Sequence, residues 1–327
     1  FKERLKPDQL SMLQPIHDSN GRLAEFSWLS VLLGYPILGV WYWCADQTIV
    51  QRVLGAKTLR DAQLGPLFAG FLKILPVFIM VLPGVVGYVL FADRIGDDAK
   101  QTLPVLISEL VPVGLKGLIS AGLLAALMST IAGALNSCGT LIAVDIVKRV
   151  HPTAADRTLV RVGRVSAVAV MLLAMAWSTQ GHRFESIFVA INKIPVMFAP
   201  AITTVFVWGV FWRRGTRQAA LVTLTVGFLV GAVNFVLDVP LVGERMYTTE
   251  VLGIPFMQQA WWLFCLCSAI YVATSLATPQ HSDAELEGLC WGNPLRTLRG
   301  AYAGLGDPRL AAGLLLAVMV VLYWLLR

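Results

Sequence analysis

Eight apolar stretches, each about as long as a membrane-spanning helix, restrict the possible folds of this chain more than any other feature of its sequence. A helix needs about 20 apolar residues to cross the hydrocarbon core of a bilayer, whereas a barrel strand needs about ten that alternate in polarity. Because lipid admits only helices and closed barrels, and such alternation is absent, the sequence predicts an all-α integral membrane protein. The stretches cover residues 27–53, 65–91, 116–147, 159–178, 186–212, 218–237, 257–278 and 309–326.

The distribution of charge supports a membrane location and suggests an orientation. Charged residues make up 14% of the chain, against about 25% in soluble domains. If the first stretch ends in the cytoplasm and the others alternate, most Lys and Arg, such as Arg213 and Arg214, fall on cytoplasmic segments, as the positive-inside rule requires. We therefore expect a multi-pass protein of the cell membrane with residues 1–26 extracytoplasmic. The net charge of +6 then needs no nucleic-acid partner.

The sequence lacks the common motifs of catalysis. Its five Cys and four His are scattered without CxxC spacing, and HExxH, GxSxG and GxxxxGK do not occur. We expect the cysteines to be small buried hydrophobes and the protein not to be an enzyme.

The first stretch combines helix-weakening residues with an aromatic cluster. Gly34, Pro36 and Gly39 predict a broken or bent helix, and such breaks in transporters occur where backbone groups line a site. Trp41, Tyr42 and Trp43 follow. They form either an interfacial aromatic belt or a stacking surface for a ring-shaped ligand, and both interpretations remain open here.

The second stretch carries a lysine at membrane depth. Lys73 lies about eight residues into the stretch, hence about 12 Å deep and close to the bilayer midplane. A charge there costs about 2.5–3.5 kcal/mol, so its ammonium group is expected to face a cavity or a partner. The alternative is a lysine that snorkels to the membrane surface. Pro76 and Pro83 also predict a kink in this helix.

The third stretch contains three potential oxygen ligands on one helix face. Ala126, Ser129 and Thr130 have the spacing i, i+3, i+4. A carbonyl and two hydroxyls are the hard oxygen ligands that an alkali cation prefers. Alternatively, the two hydroxyls donate to carbonyls one turn earlier and bind nothing.

The fifth stretch contains Asn192 and Lys193 near the middle of an otherwise apolar run, followed by Pro195 and Pro200. Polar residues inside a membrane are functional candidates, although Asn192 could equally hydrogen-bond to a neighbouring helix. The longest connection, 280–308, is rich in Gly, Pro and charge and is predicted to be exposed to solvent.

Several ordered motifs resemble the sodium/glucose cotransporter branch of the sodium/solute symporter family. The likeness runs from about residue 27 to residue 215, and beyond that only the helix pattern is similar. The motifs are WYWCADQTIVQR at 41–52, GFLK at 70–73 with FIMVLPG at 78–84, LLAALMST at 123–130, Asn136 with Ser137, and Asp145 with Ile146.

The resemblance implies the inverted-repeat fold shared with the leucine transporter. Residues 27–212 would form the second five-helix repeat. Residues 213–327 would add three peripheral transmembrane helices, with the inner loop at 280–308. The implied activity is symport of sodium with a small polar solute, a sugar or a polyol, by alternating access.

The resemblance also implies roles for individual residues. Tyr42 corresponds to the aromatic residue that caps the sugar on the inner side, and Trp43 is its neighbour. Lys73 corresponds to a sugar-binding lysine, and Asn192 stands in place of a sugar-binding glutamine. The sodium ligands would be Ala126, Ser129 and Thr130.

Some positions depart from the family pattern. Asn192 is one methylene shorter than glutamine, Gly39 replaces a polar residue of the pocket, and Lys193 adds a charge where small polar residues are usual. Where related proteins carry hydroxyls for a second sodium, this chain has Ala132 and Gly133, so one sodium per solute is predicted. Two alternatives are a transporter-like sensor or regulatory module and a non-functional fragment that lacks the first repeat.

Overall fold

A computed structural model of the chain describes residues 11, 13–18, 21–96, 98–179, 187–238, 247–291, 304 and 306–325. Within them the protein is α-helical and has no β-strand, only two isolated bridges. Eight helices among these residues are long and apolar enough to cross a membrane, which confirms the all-α prediction. These spans are Trp28–Ala45, Leu59–Leu90, Val113–Val150, Asp156–Ser178, Ile191–Phe211, Arg217–Asp238, Phe256–Ala277 and Pro308–Leu325.

Fourteen α-helices in the described part of the chain build these spans and their connections. They are α1 (Trp28–Val40), α2 (Gln47–Leu54), α3 (Leu59–Leu72), α4 (Leu82–Leu90), α5 (Ala92–Ile95), α6 (Thr102–Leu110), α7 (Val113–Thr140), α8 (Lys148–Val150), α9 (Asp156–Ser178), α10 (Ile187–Phe211), α11 (Arg217–Asp238), α12 (Phe256–Ala277), α13 (Asp283–Leu286) and α14 (Pro308–Leu325). The chain is π-helical at Trp41–Ala45, Val77–Val81, Leu141–Val147 and Tyr247–Val251.

The described residues divide into two compact units. The first lies within Leu72–Ser186, where α7 packs along α9. Gly139 and Gly163 bring these two helices into close contact, because a methyl group on Gly139 would lie 2.8 Å from the Gly163 carbonyl oxygen. Much of α7 is exposed.

The second unit consists of residues within Lys2–Phe71 and Ile187–Arg327. Its centre is formed by α1, α10, α11 and α12, each of which packs against at least two of the others. The main apolar cluster comprises Leu38, Val196, Ala199, Phe256, Met257 and Ala260. Burial of such side chains contributes about 25 cal/mol per Å² of apolar area removed from solvent.

Glycine allows these helices to approach each other closely. A methyl group on Gly34 would overlap the carbonyl oxygen of Met257, and one on Gly231 would overlap that of Met197. Gly227 and Gly231 form a GxxxG pattern on α11, which is typical of close helix contacts in membranes. The α1–α12 and α10–α11 contacts therefore bring backbone against backbone.

The predicted break in the first helix occurs later than the glycines and the proline suggested. The α-helical backbone of α1 continues past Gly34, Pro36 and Gly39 and becomes π-helical at Trp41–Ala45. Asp46 then adopts extended backbone angles, and its carboxylate caps α2 by accepting a hydrogen bond from the Thr48 N–H at 2.8 Å. The break therefore lies at the aromatic cluster.

The prediction that the connection 280–308 is exposed is wrong for part of it. The Trp291 N–H donates to the Val210 carbonyl oxygen at 2.8 Å, and the rings of Phe211 and Trp291 lie 5.4 Å apart. Leu286 is buried. This part packs on the end of α10 because the packing removes apolar side-chain surface from solvent. Residues 292–303 of this connection, like residues 1–10 of the N-terminal segment, lie outside the described residues.

The five cysteines are free thiols in different environments. Cys267 is buried as predicted, Cys44 is exposed, and the other three are partly buried. The expectation that all five are buried is therefore wrong for Cys44, which lies in the π-helical turn.

Candidate solute and sodium sites

Tyr42 and Trp43 lie on the π-helical turn between α1 and α2. Their rings meet edge to face with centroids 5.4 Å apart, and both side chains are partly buried. A π-helical turn displaces side chains from regular helical positions and is frequent at functional sites. The turn is therefore a local structure that can present an aromatic face to a ligand.

Asn192 lies in the second turn of α10, not near its middle as its place in the apolar run suggested. Its side chain is partly buried. Helix α10 packs directly on the π-helical turn at Trp41–Ala45. Three of the four candidate solute residues thus belong to two elements in contact within one compact unit.

Lys73 lies where the second span is interrupted. Helix α3 ends at Leu72, and Lys73 and Ile74 form a turn before the chain becomes helical again. Pro76 explains the interruption, because it has no N–H to donate to the Leu72 carbonyl and its ring crowds that oxygen. Lys73 is exposed, lies near the centre of the span Leu59–Leu90 and belongs to the other compact unit.

The sodium candidates lie on one exposed face of α7. The Thr130 hydroxyl donates to the Ala126 carbonyl oxygen at 2.9 Å, which is the local bond foreseen as the alternative to ion binding. Because the backbone N–H of the next turn also uses that carbonyl, both of its lone pairs are occupied. A cation at Ala126 and Thr130 would have to replace this hydroxyl bond. Ser129 lies beside them on the same face.

The described residues contain no group of three or more His, Cys, Asp or Glu side chains that could hold a metal ion. Carbonyl and hydroxyl oxygens are the other kind of ligand that suits a hard cation. The face formed by Ala126, Ser129 and Thr130 offers three of these.

Sequence reasoning missed a buried ion pair next to Asn192. The Lys193 ammonium lies 3.1 Å from the Asp238 carboxylate, and the two side chains are only 2% and 0% exposed. Removing one partner of such a pair costs about 3–5 kcal/mol, because the other charge is left buried and uncompensated. Lys193 was recognised as unusual, but its partner ends a helix 45 residues away and was not.

The spacing of small buried residues on α11 could have identified Asp238. Thr223, Gly227, Gly231 and Asp238 are all buried, and their separations of four, four and seven residues place them on one helical face. The glycines show that this face contacts α10, so a carboxylate on it requires a partner.

The Asp238 carboxylate is also held by the segment that leads into α12 and by the first turn of α12. It accepts hydrogen bonds from the Thr249 N–H at 2.9 Å, the Thr249 hydroxyl at 2.8 Å and the Gln259 amide at 3.3 Å. Gln259 in turn accepts from the Asn234 amide and donates to the Ile254 carbonyl oxygen. These hydrogen bonds fix the carboxylate and offset the free-energy cost of burying its charge.

Comparison with known proteins identifies the family of this chain. The model of the sodium:solute symporter family matches residues 7–227, which is more than half of the 327 residues. The chain belongs to the sodium:solute symporter family. With its eight candidate spans, it is a multi-pass membrane protein.

Its relatives include cotransporters of sugars and polyols. It is 36% identical to the sodium/mannose cotransporter SLC5A10 of Bos taurus over 82% of the chain and 49% of that protein. It is 34% identical to sodium/glucose cotransporter 4 of Danio rerio, over 82% of the chain and 44% of that protein. For sodium/myo-inositol cotransporter 2 of Homo sapiens the identity is 37%, over 66% of the chain and 34% of that protein.

The chain thus spans between a third and a half of the length of these relatives. All three are cotransporters by name, and cotransport is not an enzymatic activity. The prediction that this chain is not an enzyme is therefore confirmed.

Proposed function

We propose that this chain is the solute-binding and sodium-binding part of a symporter that couples a sodium gradient to uptake of a sugar or a related polyol. The observation that supports the proposal is the interrupted helix at Trp41–Ala45, which bears Tyr42 and Trp43 and packs on α10, the helix that bears Asn192. Broken helices at membrane depth occur where backbone and side chains line a binding site. The mannose, glucose and inositol cotransporters named above support the same class of solute.

An uncharged, polyhydroxylated ring suits these side chains. An aromatic face can pack on the apolar face of the ring, while an amide and an ammonium bond its hydroxyls. Trp43, Tyr42 and Asn192 belong to one compact unit, and Lys73 belongs to the other and is proposed as a solute ligand on its sequence position alone.

Sodium would bind at Ala126, Ser129 and Thr130. Coupling requires only that sodium bind one conformation of the protein better than the other, so that occupation of its site favours the conformation that accepts solute. The exchange of the Thr130–Ala126 hydrogen bond for ion coordination provides one such difference on α7.

The domain arrangement belongs to the same proposal. Residues 27–212 would form the second repeat of an alternating-access transporter and 213–327 the additional helices, with the N-terminal segment extracytoplasmic. The close packing of α10 on α11 and α12 would join the repeat to these additional helices.

Uptake measurements on the full-length natural protein test the proposal. Radiolabelled mannose, glucose and myo-inositol are offered separately in sodium and in choline medium to cells that express it. We expect sodium-dependent uptake of at least one of them. Uptake of all three that is equal in both media and equal to that of untransfected cells would refute it.

A further inference from the structure

We propose that Lys193 and Asp238 form a positioning pair that holds Asn192 in the orientation needed to bind solute. This inference rests on the proposed function, because it assigns a role in solute binding to two buried residues, one of which adjoins Asn192 in the sequence. Neither residue is required to touch the solute.

The ion pair joins the segment that bears Asn192 to the rest of its unit. Lys193 follows Asn192 in the second turn of α10, and its ammonium reaches the end of α11 at Asp238. Adjacent residues on a helix point about 100° apart. A side chain that is clamped in the protein interior therefore fixes the direction in which its neighbour points.

The Asp238 end of the pair is itself immobilised. Its carboxylate is held by Thr249 and Gln259, and Gln259 belongs to α12. Helix α12 meets α1 at Gly34, where a methyl group would overlap the Met257 carbonyl oxygen. The anchor of Asn192 is thus continuous, through side-chain bonds and backbone contacts, with the helix that leads to Tyr42 and Trp43.

Helices α10 and α11 also meet in a backbone contact one turn away from the ion pair. Met197, one turn after Lys193, has its carbonyl oxygen against Gly231 of α11. Helices α10 and α11 are therefore held by backbone packing at Met197 and by charge at Lys193. Loss of the charge contact would leave the packing intact but free the turn that carries Asn192.

A burial argument supports a positioning role over a general stabilising one. Replacing a buried ion pair by apolar or neutral groups of similar shape is often neutral or favourable for stability. We therefore expect the helices to fold when both charges are removed together, whereas the native pair joins the side chains of α10 and α11 at 3.1 Å. A single substitution, in contrast, would leave the other charge buried without its partner and is expected to disturb folding.

The test uses a neutral double variant, Lys193→Met with Asp238→Asn, in the full-length natural protein. Met matches the lysine side chain as far as Cε. Asn keeps one acceptor oxygen for the Thr249 N–H, and its amide can donate to the Thr249 hydroxyl, while the Gln259 amide keeps the Ile254 carbonyl as an acceptor. A matched control is Arg94→Gln with Glu109→Gln, which removes an exposed ion pair between α5 and α6 of the other unit. Surface labelling measures the number of molecules that reach the membrane.

We expect the double variant to reach the surface in normal amount and to show a KM for solute raised about tenfold, the factor that corresponds to about 1.4 kcal/mol of lost binding. The maximal rate per molecule and the sodium concentration for half-maximal uptake at saturating solute should remain unchanged, since Ser129 and Thr130 lie on α7. The control should keep parental values for all three quantities.

An unchanged KM for solute in the double variant would overturn the positioning role and leave the proposed transport function intact. A fall in surface amount or in maximal rate with an unchanged KM would also overturn it, because the pair would then only stabilise the protein. Absence of sodium-dependent uptake in the parent would instead refute the transport function, and the positioning role with it.

Discussion

The Thr130 hydroxyl donates a hydrogen bond of 2.9 Å to the Ala126 carbonyl oxygen, so two of the three candidate sodium ligands are bonded to each other. The same kind of local bond joins Thr225 to Leu221 on α11. The bond therefore does not by itself identify an ion site, and only substitution can distinguish the two cases.

Removing the hydroxyl of Ser129 or Thr130 should weaken sodium activation. Each deleted oxygen leaves the ion with one ligand fewer, so the sodium concentration for half-maximal uptake should rise about tenfold or more, as expected for a loss of about 1.4 kcal/mol or more. Thr225→Ala is the control, because it removes an exposed threonine with the same backbone bond. Unchanged half-saturation in both Ser129→Ala and Thr130→Ala would remove these residues from the sodium site.

Substitution of the candidate solute residues should affect solute affinity. Lys73→Ala and Asn192→Ala each remove a hydrogen bond to solute, and bonds that involve a charged group contribute about 1.5–3 kcal/mol. We therefore expect the larger loss for Lys73→Ala. Equilibrium binding of labelled solute is the measurement. The control is Lys116→Ala, which removes a partly buried lysine bonded to the Ser108 carbonyl oxygen. Full-strength binding by Lys73→Ala would contradict its role.

The glycine contacts allow a prediction about stability. Gly34→Ala should lower the melting temperature in detergent, because the new methyl group meets the Met257 carbonyl oxygen and overpacking costs about 1–3 kcal/mol. Gly39→Ala in the same helix is the control, since its methyl group meets no described atom within 4 Å. Equal melting temperatures for the two variants would show that α1 and α12 are not in backbone contact.

The sequence was sufficient for the helices but not for the contacts between them. Hydropathy located all eight candidate spans because lipid requires long apolar segments. Helix propensity placed the break of the first helix at Gly34, Pro36 and Gly39. It could not show that Gly34 serves the contact with Met257 and that the irregular turn lies at Trp41–Ala45.

The candidate site was foreseen to different extents. Polarity within apolar stretches was enough to select Lys73, Asn192 and Lys193. The partner of Lys193 could not be found in this way, because Asp238 at the end of a helix has the appearance of an interfacial charge. The spacing of Thr223, Gly227 and Gly231 on α11 was the signal that could have identified it, and the packing of α10 on α11 shows that it is buried.

The number of coupled ions follows from the residues after the sodium candidates. Ala132 and Gly133 have no side-chain oxygen, and the Gly133 carbonyl already accepts a hydrogen bond from the Ser137 hydroxyl at 2.9 Å. We therefore expect one sodium per solute. Reversal potentials measured at several sodium and solute concentrations give the ratio, and a value of two would show that a second ion binds elsewhere.

Accumulation of solute in proteoliposomes tests the central proposal most directly. The purified full-length natural protein is reconstituted, and an inward sodium gradient is imposed with labelled mannose, glucose or myo-inositol outside. Coupling predicts that the internal concentration of at least one solute rises transiently above the external one and that dissipating the sodium gradient abolishes this rise. Equal internal and external concentrations of all three, with the gradient present and absent, would contradict sodium-coupled symport.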